Sequence, residues 1–409
     1  MHLDAIVAGV GMTRFGKHLE TGLKALGAEA VRAALADAGL EAHEIEAAWV
    51  GNAAAGLVTG QECIRGQVIL RSMGLGRIPV VNVENACASA STALQQACAM
   101  VSAGLYDVVL ALGVEKLTHP DKQRSFAAFR GAVDVEAMAE ILAALKAGAG
   151  GERDAAAPAG GGEKRSMFMD LYAAAARAHM QRYGTTVRQF AEVAAKNSYH
   201  GSLNPRAQFR EVLSADDVLA APMVAEPLTR PMCSPIGDGA AAAVLCSAEK
   251  ARQFTSKRVH VLASCVGSGS DHAPGEPGIT ERVVQQAYKQ AGVGPEDLSA
   301  IELHDASAPA ELVLYEELGL CGPGEGGKLI DARATYFDGP VPVNTSGGLI
   351  SKGHPIGATG VAQIYEVFTQ LRGEAGDRQV ARPRVGLTEN GGGMVKGEAA
   401  ALAVHIFSV

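Results

Sequence analysis

Short apolar strands alternate with alanine-rich helices along most of this chain, and this alternation restricts the possible folds more than any other feature. Apolar runs such as Asp107–Val114 and Ala240–Cys246 predict buried strands, and stretches such as Gly22–Ala38 and Ala358–Leu371 predict helices. Such alternation is typical of helices packed in layers on sheets. The sequence therefore predicts an α/β fold, and 409 residues suffice for two domains or one large duplicated unit.

Two corresponding segments indicate an internal duplication. Val81-Asn82 leads into a turn that carries Cys87 and then into a small-residue helix. Val343-Asn344 leads into a glycine-rich turn that carries His354 and then into another such helix. Two equivalent halves would each place a strand-to-helix turn at a shared centre. We therefore expect Cys87 and His354 to lie together.

The duplication divides the chain into an N-terminal half, residues 1–255, and a C-terminal half, residues 256–409. A less regular stretch, about 117–231, predicts a loop region inserted in the first half. Within it, Val133–Leu145 has apolar residues at helical spacing, which is typical of a surface helix; a lid or a contact with a partner protein is the alternative. Lys146–Gly162 is of low complexity and typical of a mobile linker.

Composition excludes several classes of protein. The formal net charge is −8, so the chain lacks the basic footprint of a nucleic-acid-binding protein. It has no apolar run of membrane-spanning length, and we expect no secretory leader, because no basic segment followed by a long apolar stretch opens the sequence. The seven cysteines include no C-x-x-C pair, which argues against disulfides and structural zinc. We expect a cytoplasmic protein without a bound metal and, since nucleotide-binding glycine motifs are absent, without a bound redox cofactor.

Cys87 is the strongest candidate for a catalytic group. A strand, Pro79–Val83, ends shortly before it, and a helix begins at or just after it. Helix-terminal N–H groups and the helix dipole favour a thiolate at such a position, and a thiolate is a nucleophile for covalent catalysis. A cysteine that simply packs in the core is the alternative, because free cysteine is among the most buried residue types.

Two histidines are candidates for the base that Cys87 needs. His304 is the last residue of the predicted strand Ala300–His304, and α/β sites assemble at such strand ends. His354 lies in a glycine-rich turn. Structural or exposed histidines are the alternative for both. No third ligand is suggested by their spacing, so we predict no metal site here.

The segment Leu387–Met394 contains three consecutive glycines after a predicted strand. Its backbone N–H groups would suit an oxyanion hole for a thioester carbonyl, whereas the alternative is a tight hairpin between the last two strands. Glu389, in the same segment, is either a general acid or base or a solvated turn residue.

Several longer segments resemble the thiolases over nearly the whole chain, with the sterol-carrier-protein type and its archaeal and bacterial relatives as the most similar group. These segments are Asn85–Ser91, Gly113–Lys116, Lys196-Asn197, His200–Pro205, Ser234–Ala242, Gly324–Leu329 and Asn344–Gly360. The resemblance implies duplicated βαβαβαββ halves in five layers, α-β-α-β-α, with an inserted loop domain. It also implies a homodimer and chemistry on coenzyme A thioesters, with coenzyme A as co-substrate.

The same resemblance implies roles for individual residues. Cys87 matches the nucleophile that accepts the acyl group. His354 matches the histidine that activates this cysteine and helps to form one oxyanion hole, and His304 matches the position of the other group at that hole. The backbone amides of Cys87 and about Gly391 match the second oxyanion hole.

The chain departs from the thiolase pattern at the second catalytic cysteine. The C-terminal Cys-x-Gly turn of the family reads Glu389-Asn390-Gly391 here, and Ala306-Ser307 follows His304-Asp305 where the sterol-carrier type has its cysteine. Claisen chemistry needs a base near the α-carbon. Glu389 is one substitute, since desolvation raises the pKa of a carboxyl; Tyr336 and His304 are others.

Three functions remain open from the sequence. The first is a thiolase that cleaves a 3-oxoacyl-CoA, or makes it by Claisen condensation, through acyl-Cys87, on an unusual bulky, branched or aromatic acyl group. The second is a thiolase-like retro-aldolase that acts on a β-hydroxyacyl-CoA with a small zinc-ribbon/OB-fold partner. The third is an inactive scaffold or lipid-carrier subunit. The retained Cys87 favours the first.

Overall fold

The computed structural model describes residues 3–148, 166–254, 258–273 and 275–409. Its strands are β1 (Ile6–Met12), β2 (Ala47–Gly51), β3 (Val80–Val83), β4 (Val108–Glu115), β5 (Met223–Ala225), β6 (Leu228–Thr229), β7 (Gly239–Cys246), β8 (Val259–Ser268), β9 (Ala300–Glu302), β10 (Val385–Val395) and β11 (Glu398–Ser408). Its helices are α1 (Leu23–Ala38), α2 (Ala55–Thr59), α3 (Arg65–Arg71), α4 (Ser89–Ser102), α5 (Lys122–Ala128), α6 (Met138–Gly148), α7 (Met167–Tyr183), α8 (Val187–Leu203), α9 (Ala215–Ala220), α10 (Ala248–Phe254), α11 (Ile279–Ala291), α12 (Ala308–Glu317), α13 (Gly326–Asp331) and α14 (Thr359–Leu371). None of these helices, within the described residues, has the length and apolar character to cross a membrane.

The order and direction of the strands repeat between the two halves of the chain. In the first half, β1, β7 and β4 are successively antiparallel, and β2 and β3 then continue parallel to β4. In the second half, β8, β11 and β10 are antiparallel and β9 continues parallel to β10. Val343 forms a parallel bridge with Ile301 at the place that corresponds to β3. The predicted duplication is therefore confirmed.

Five layers result from the packing of helices on these strands. Helices α1 and α3 cover the outer face of the first half of the sheet, and α11 and α12 cover that of the second half. Helices α4 and α14 lie between the two halves and contact each other and strands of both. This is the predicted α-β-α-β-α arrangement. It places the N-terminal ends of both central helices at one site, since Cys87 precedes α4 and His354 precedes α14.

The inserted region is more regular than the sequence analysis predicted. The less regular stretch predicted at 117–231 contains α5 to α9, among them two helices of 17 residues, α7 and α8. Capping explains α8: the Thr186 hydroxyl accepts from the N–H of Gln189, whose side chain accepts from the N–H of Thr186. The helix predicted at Val133–Leu145 begins at Met138. Most of the predicted linker, from residue 149 on, lies outside the described residues.

The prediction of a glycine-rich turn at Leu387–Met394 is wrong, because these residues belong to strand β10. Strand β10 continues through all three glycines and stays paired with β11, with Glu389 opposite Val404 and Gly391 opposite Leu402. The chain reverses later, at Lys396 and Gly397, which both have positive φ angles. Glu389 is therefore a buried residue inside a strand and not a solvated turn residue.

A buried network attaches α8 to the second half, beside the end of β9. The ammonium of Lys196 donates to the carboxylate of Glu311 and to the carbonyl of Val343, the latter over 3.0 Å. The Nδ2 of Asn197 donates to Oδ2 of Asp305 over 2.9 Å. Because Asp305 follows His304 directly, this network positions the histidine.

We expect Lys196→Met to destabilise the protein by about 3–5 kcal/mol, because it leaves the buried carboxylate of Glu311 without its cation. Urea unfolding followed by circular dichroism measures this. The matched control is Lys328→Met, which removes a lysine from an exposed ion pair with Glu325 and should leave the free energy of unfolding nearly unchanged. Equal changes in the free energy of unfolding for the two variants would contradict the stabilising role of the buried pair of Lys196 and Glu311.

Candidate active site

The structure brings Cys87, His304 and His354 together at the centre of the molecule. The sulfur of Cys87 and one ring nitrogen of each histidine all lie within 4.8 Å of one another. The two imidazole rings meet edge to face, with centroids 5.1 Å apart. The juxtaposition expected from the duplication, Cys87 beside His354, is present. Thiol and imidazole groups are also zinc ligands, so the prediction that no metal binds here stays a prediction from the sequence.

A tight turn between β3 and α4 presents Cys87. Ala86 has φ of 47°, in the left-handed region. The Ser89 hydroxyl accepts from the N–H of Asn85 over 2.9 Å and donates to the carbonyl of Ala86 over 2.6 Å. These bonds stabilise a backbone conformation that alanine rarely adopts. The turn therefore directs the cysteine into the cavity just before the helix begins at Ser89.

The Cys87 thiol is protonated at neutral pH. The pKa of this thiol is raised to about 12, mainly by burial. The nearby charge of Glu115 also raises it, and this effect is larger than the lowering by the backbone N–H of Gly393. Burial therefore opposes the thiolate that the helix end is expected to favour, and desolvation is the largest influence on this pKa. A protonated thiol needs a base before it can act as a nucleophile.

His354 presents a free lone pair to this thiol. Its Nδ1 lies 2.7 Å from the hydroxyl oxygen of Thr359, and that hydroxyl donates to the carbonyl of Pro355 over 3.2 Å. The hydroxyl proton is thereby used, so Nδ1 donates to Thr359 and Nε2 carries the lone pair. Burial, followed by the charges of His304 and Lys352, holds the pKa of His354 well below its usual value. The ring is neutral and able to accept a proton.

His304 has the opposite tautomer. The amide oxygen of Asn390 accepts from the Ser91 hydroxyl over 2.9 Å, and its Nδ2 lies 2.8 Å from Nδ1 of His304. Nδ1 therefore accepts, and the proton of the neutral ring sits on Nε2. Burial lowers the pKa of His304 to about 4. A neutral imidazole with a fixed N–H is a donor for a developing oxyanion.

Glu389 lines the same cavity as Cys87 and both histidines. Its Oε2 accepts from the N–H of His304 over 3.0 Å, and Gln363 donates to its backbone carbonyl over 2.9 Å. Burial raises the pKa of Glu389 to about 8, and the charge of Glu317 contributes in the same direction. At neutral pH this carboxyl is therefore mostly protonated.

The three glycines of β10 form one wall of the cavity. Gly393 has φ of 66°, and its N–H donates to the sulfur of Cys87. A Cβ on Gly392 would lie 2.1 Å from the carbonyl oxygen of Asn85, so the strand touches the Cys87 turn directly. Gly391 also lines the cavity, and its role in the second oxyanion hole, with the amide of Cys87, stays a prediction.

The cavity has a volume of about 1460 Å³, and its wall is mostly apolar. Large side chains from the inserted region contribute to it: Phe126, Phe129, Phe168, Met169, Tyr172 and Leu213. Tyr336, an alternative for the missing base, does not line it; its ring packs against His200, with centroids 5.7 Å apart, and carries Arg333 on its face.

Sequence reasoning missed several residues around the site. Thr359 sets the tautomer of His354, and Asn390 sets that of His304. Both residues lie in segments that resemble the family or contain the three glycines, so the polar residues of those segments were available as a signal. Tyr172 is different. Burial and the charges of Cys87 and Glu389 raise its pKa, which places its hydroxyl near both groups. Nothing in the sequence around α7 indicates this, because the contact arises from packing.

Comparison with known proteins agrees with this architecture. Residues 5–249 match the family model for the thiolase N-terminal domain, and residues 278–405 match the thiolase C-terminal domain-like model. The acetyl-CoA acetyltransferase of Methanothermobacter thermautotrophicus is 39% identical over 99% of this chain and 99% of its own length. The benzoylsuccinyl-CoA thiolase subunit BbsB of Thauera aromatica is 36% identical over 95% of this chain and 94% of its own.

Among solved structures, the Ltp2-ChsH2(DUF35) aldolase superimposes with a TM-score of 0.78 at 26% identity, covering 98% of this chain and 97% of the other. The chain belongs to the thiolase family, and the resemblance found in the sequence is confirmed. It is an acyltransferase of that family.

We expect Thr359→Val to lower kcat by about 10- to 100-fold, because His354 loses the partner that fixes its tautomer. Thr369→Val is the matched control: it lies in the same helix, α14, and its buried hydroxyl donates to the carbonyl of Glu366. Steady-state kinetics and thermal unfolding of both variants test this. If kcat fell in both variants in proportion to their loss of stability, the result would contradict the proposal that Thr359 acts through His354.

Proposed function

We propose that this enzyme cleaves a 3-oxoacyl-CoA with coenzyme A through an acyl-Cys87 intermediate, or catalyses the reverse Claisen condensation. One observation carries the proposal: a protonated nucleophile, a neutral base and a protonated acid face one large cavity. Cys87 supplies the thiol, His354 the lone pair at Nε2 and Glu389 the carboxyl proton. Coenzyme A is the co-substrate, and exposed cations at the cavity wall, Lys17, Lys122 and Arg210, suit its phosphates.

The first half of the proposed reaction breaks the bond between C2 and C3. His354 takes the proton of Cys87 as the sulfur attacks the C3 carbonyl, and the N–H at Nε2 of His304 and backbone amides of the glycine segment stabilise oxyanions. Collapse of the tetrahedral intermediate breaks C2–C3 and leaves the acyl group on Cys87. Glu389 gives its proton to C2, which completes acetyl-CoA.

The second half transfers the acyl group. The carboxylate of Glu389 takes the proton of an incoming coenzyme A thiol, whose sulfur attacks the acyl-Cys87 thioester. The bond to Cys87 breaks, and its sulfur recovers the proton held by His354. All groups then return to their resting states, so the cycle needs no bound cofactor.

The acyl group that we propose is bulky, branched or aromatic. The cavity also receives coenzyme A, so the proposal depends on the character of its wall: the aromatic and methionine side chains from the inserted region favour a large apolar group. The named substrate of the Thauera aromatica relative, benzoylsuccinyl-CoA, also carries an aromatic ring.

We also propose a homodimer in the cytoplasm. Strand β3 is an edge of the sheet, and Val81 on it is 40% exposed, so this edge is open to pair with a second copy. All seven cysteines are free thiols, which suits a reducing compartment. Light scattering after gel filtration measures the mass in solution; a monomer would contradict the dimer.

A retro-aldolase that acts with a zinc-ribbon/OB-fold partner is the second candidate. The similarity to the Ltp2-ChsH2(DUF35) aldolase favours it. A retro-aldol cleavage forms no acyl-enzyme and therefore has no use for the adjacent thiol and imidazole of Cys87 and His354. The same pair argues against an inactive scaffold.

Turnover of paired substrates distinguishes these functions. The purified protein is mixed with coenzyme A and a 3-oxoacyl-CoA that carries a phenyl or a branched group, or with the matching 3-hydroxyacyl-CoA. We expect acetyl-CoA and the shorter acyl-CoA from the 3-oxo substrate. Release of an aldehyde or ketone from the 3-hydroxy substrate, alone or with an added partner, would establish the aldolase instead.

A further inference from the structure

The inserted region touches strand β10 beside the nucleophile. Phe129–Ala132 forms a short 3₁₀ helix, and Val133, directly after it, forms a parallel bridge with β10 at Met394. A Cβ on Gly393 would lie 3.1 Å from the carbonyl oxygen of the last residue of this short helix, so the two backbones are in close contact. Because the N–H of Gly393 donates to the sulfur of Cys87, the short helix is fixed next to the nucleophile.

Phe129 and Cys87 pack against the same small apolar cluster. The cluster consists of three buried side chains, Ala54, Leu117 and Ile356. Ile236 packs against it as well, and Phe129, Ile236 and Ile356 line the cavity together with Cys87. We call these three cavity-lining residues the acyl wall. The acyl wall therefore adjoins the nucleophile, and the inserted region supplies its aromatic ring.

The proposed reaction leaves one direction at C3 for the substituent that varies between substrates. When the sulfur of Cys87 is bonded to C3, C2 must face Glu389, which protonates it, and the C3 oxygen must face the proposed backbone oxyanion hole. The fourth bond of C3 leads to C4, which is only two bonds from the sulfur. The group that begins at C4 therefore contacts the acyl wall, because Cys87 packs against the same cluster as this wall.

The residue types of the acyl wall favour an apolar group, and the ring of Phe129 favours an aromatic one. Contact with two isoleucines and a phenylalanine removes apolar surface of the substrate from water. An aryl group gains more than this, because a second ring beside Phe129 adds the attraction between aromatic rings to the burial. A saturated ring of the same carbon number gains the burial alone.

We propose that Phe129 is a specificity-determining residue that selects substrates with an aryl group bonded directly to C3, so that the acyl group carried on Cys87 is an aroyl group. This inference rests on the proposed function and narrows its substrate class from bulky, branched or aromatic acyl groups to aroyl groups. Ile236 and Ile356 complete the apolar surface that the aryl ring contacts.

Competition between two matched substrates tests this selection. The protein is mixed with coenzyme A and equal amounts of 3-oxo-3-phenylpropanoyl-CoA and 3-oxo-3-cyclohexylpropanoyl-CoA, and mass spectrometry measures the initial ratio of benzoyl-CoA to cyclohexanecarbonyl-CoA. Comparison of this ratio between the wild type and a variant cancels the different intrinsic reactivities of the two ketones. Phe129→Leu keeps an apolar side chain but removes the ring, so it should lower the ratio by about 3- to 10-fold.

Two further variants make the comparison specific. Phe129→Tyr keeps the ring and should keep the ratio of the wild type. Phe168→Leu removes a ring of α7 that also lines the cavity but lies outside the cluster against which Cys87 packs, and it should change both rates by the same factor. Because the two substrates compete for the same enzyme molecules, partial misfolding of a variant does not alter its ratio.

An unchanged ratio in Phe129→Leu, or an equal fall in Phe168→Leu, would overturn the selection by Phe129. Thiolysis of an unbranched 3-oxoacyl-CoA by the wild type reports on the proposed function separately. If that thioester is cleaved while the wild type and Phe129→Leu give the same ratio, the selection fails and the function stands. If the wild type cleaves no 3-oxoacyl-CoA, the proposed function fails and this inference fails with it.

Discussion

Cys87→Ala should abolish both the acyl adduct and turnover. Wild-type protein mixed with a 3-oxoacyl-CoA should gain the mass of one acyl group, and the alanine variant should gain nothing. Turnover should fall by at least about 10⁴-fold, since loss of a nucleophile removes the covalent pathway. Intact-mass spectrometry with a coupled assay for acetyl-CoA measures both.

Cys233→Ala is the matched control for this experiment. Cys233 also lines the cavity and also has a pKa raised to about 12 by burial. No histidine ring nitrogen among the described residues groups with its sulfur as His304 and His354 group with Cys87. We expect the Cys233 variant to form the adduct normally. Turnover without Cys87 would refute the acyl-enzyme route and favour the aldolase.

Glu389→Gln should lower thiolysis by about 10²- to 10⁴-fold, the range of general acid–base catalysis. The glutamine keeps the shape of the side chain but cannot exchange a proton with C2. Deuterium exchange at C2 of acetyl-CoA in heavy water should therefore be lost as well. Glu389→Asp, which retains a carboxyl group one methylene shorter, should recover part of both activities.

The pH dependence of the wild type follows from the pKa of Glu389, about 8. Cleavage of C2–C3 needs the protonated acid, so its rate should fall as pH rises through about 8. Exchange at C2 needs the carboxylate as base, so its rate should rise over the same range. Opposite pH dependences of the cleavage rate and the exchange rate would identify Glu389 as both the acid and the base. If the two rates changed in the same direction, or if Glu389→Gln left both pH profiles unchanged, the proton transfer would belong to another residue.

The pH dependence of the free energy of unfolding provides an independent test of the raised pKa of Glu389. Its pKa is raised on folding from 4.5 to about 8, so its neutral form favours the folded state. That contribution is complete below about pH 4.5 and is lost as pH rises through about 8. Glu389→Gln should consequently be the more stable protein at pH 9 while it is catalytically impaired, an outcome that misfolding of the variant cannot produce.

The sequence was sufficient for those parts of the fold that repeat or follow a simple period. Val81-Asn82 and Val343-Asn344 identified the duplication because corresponding strands precede corresponding turns. The sequence analysis did not identify the helices of the inserted region, since α7 and α8 are stabilised by caps such as Thr186 and by packing against α12 of the second half. Leu387–Met394 was misjudged because glycine is depleted from strands on average, whereas here Gly392 is required by the close approach of the Cys87 turn.

The candidate site shows the same division. Residue types and the ends of predicted strands indicate Cys87, His304 and His354 as site residues. The protonation state of each group, however, depends on its surroundings. The thiol of Cys87 lies at a helix start that favours a thiolate, yet burial beside Glu115 dominates. The proton positions on the histidines depend on Thr359 and on the chain of Ser91 and Asn390, which hydrogen-bonding geometry alone reveals.

The site draws on both halves of the chain, and this has a consequence for how activity arises. Cys87 and Ser91 come from the first half, and their partners His354 and Asn390 come from the second. Glu115 of β4 also accepts from the N–H of Gly357, three residues beyond His354, over 3.0 Å. Neither half by itself holds the proposed nucleophile together with its proposed base. Recovery of catalysis during refolding should therefore lag behind the return of secondary structure and report the docking of the two halves.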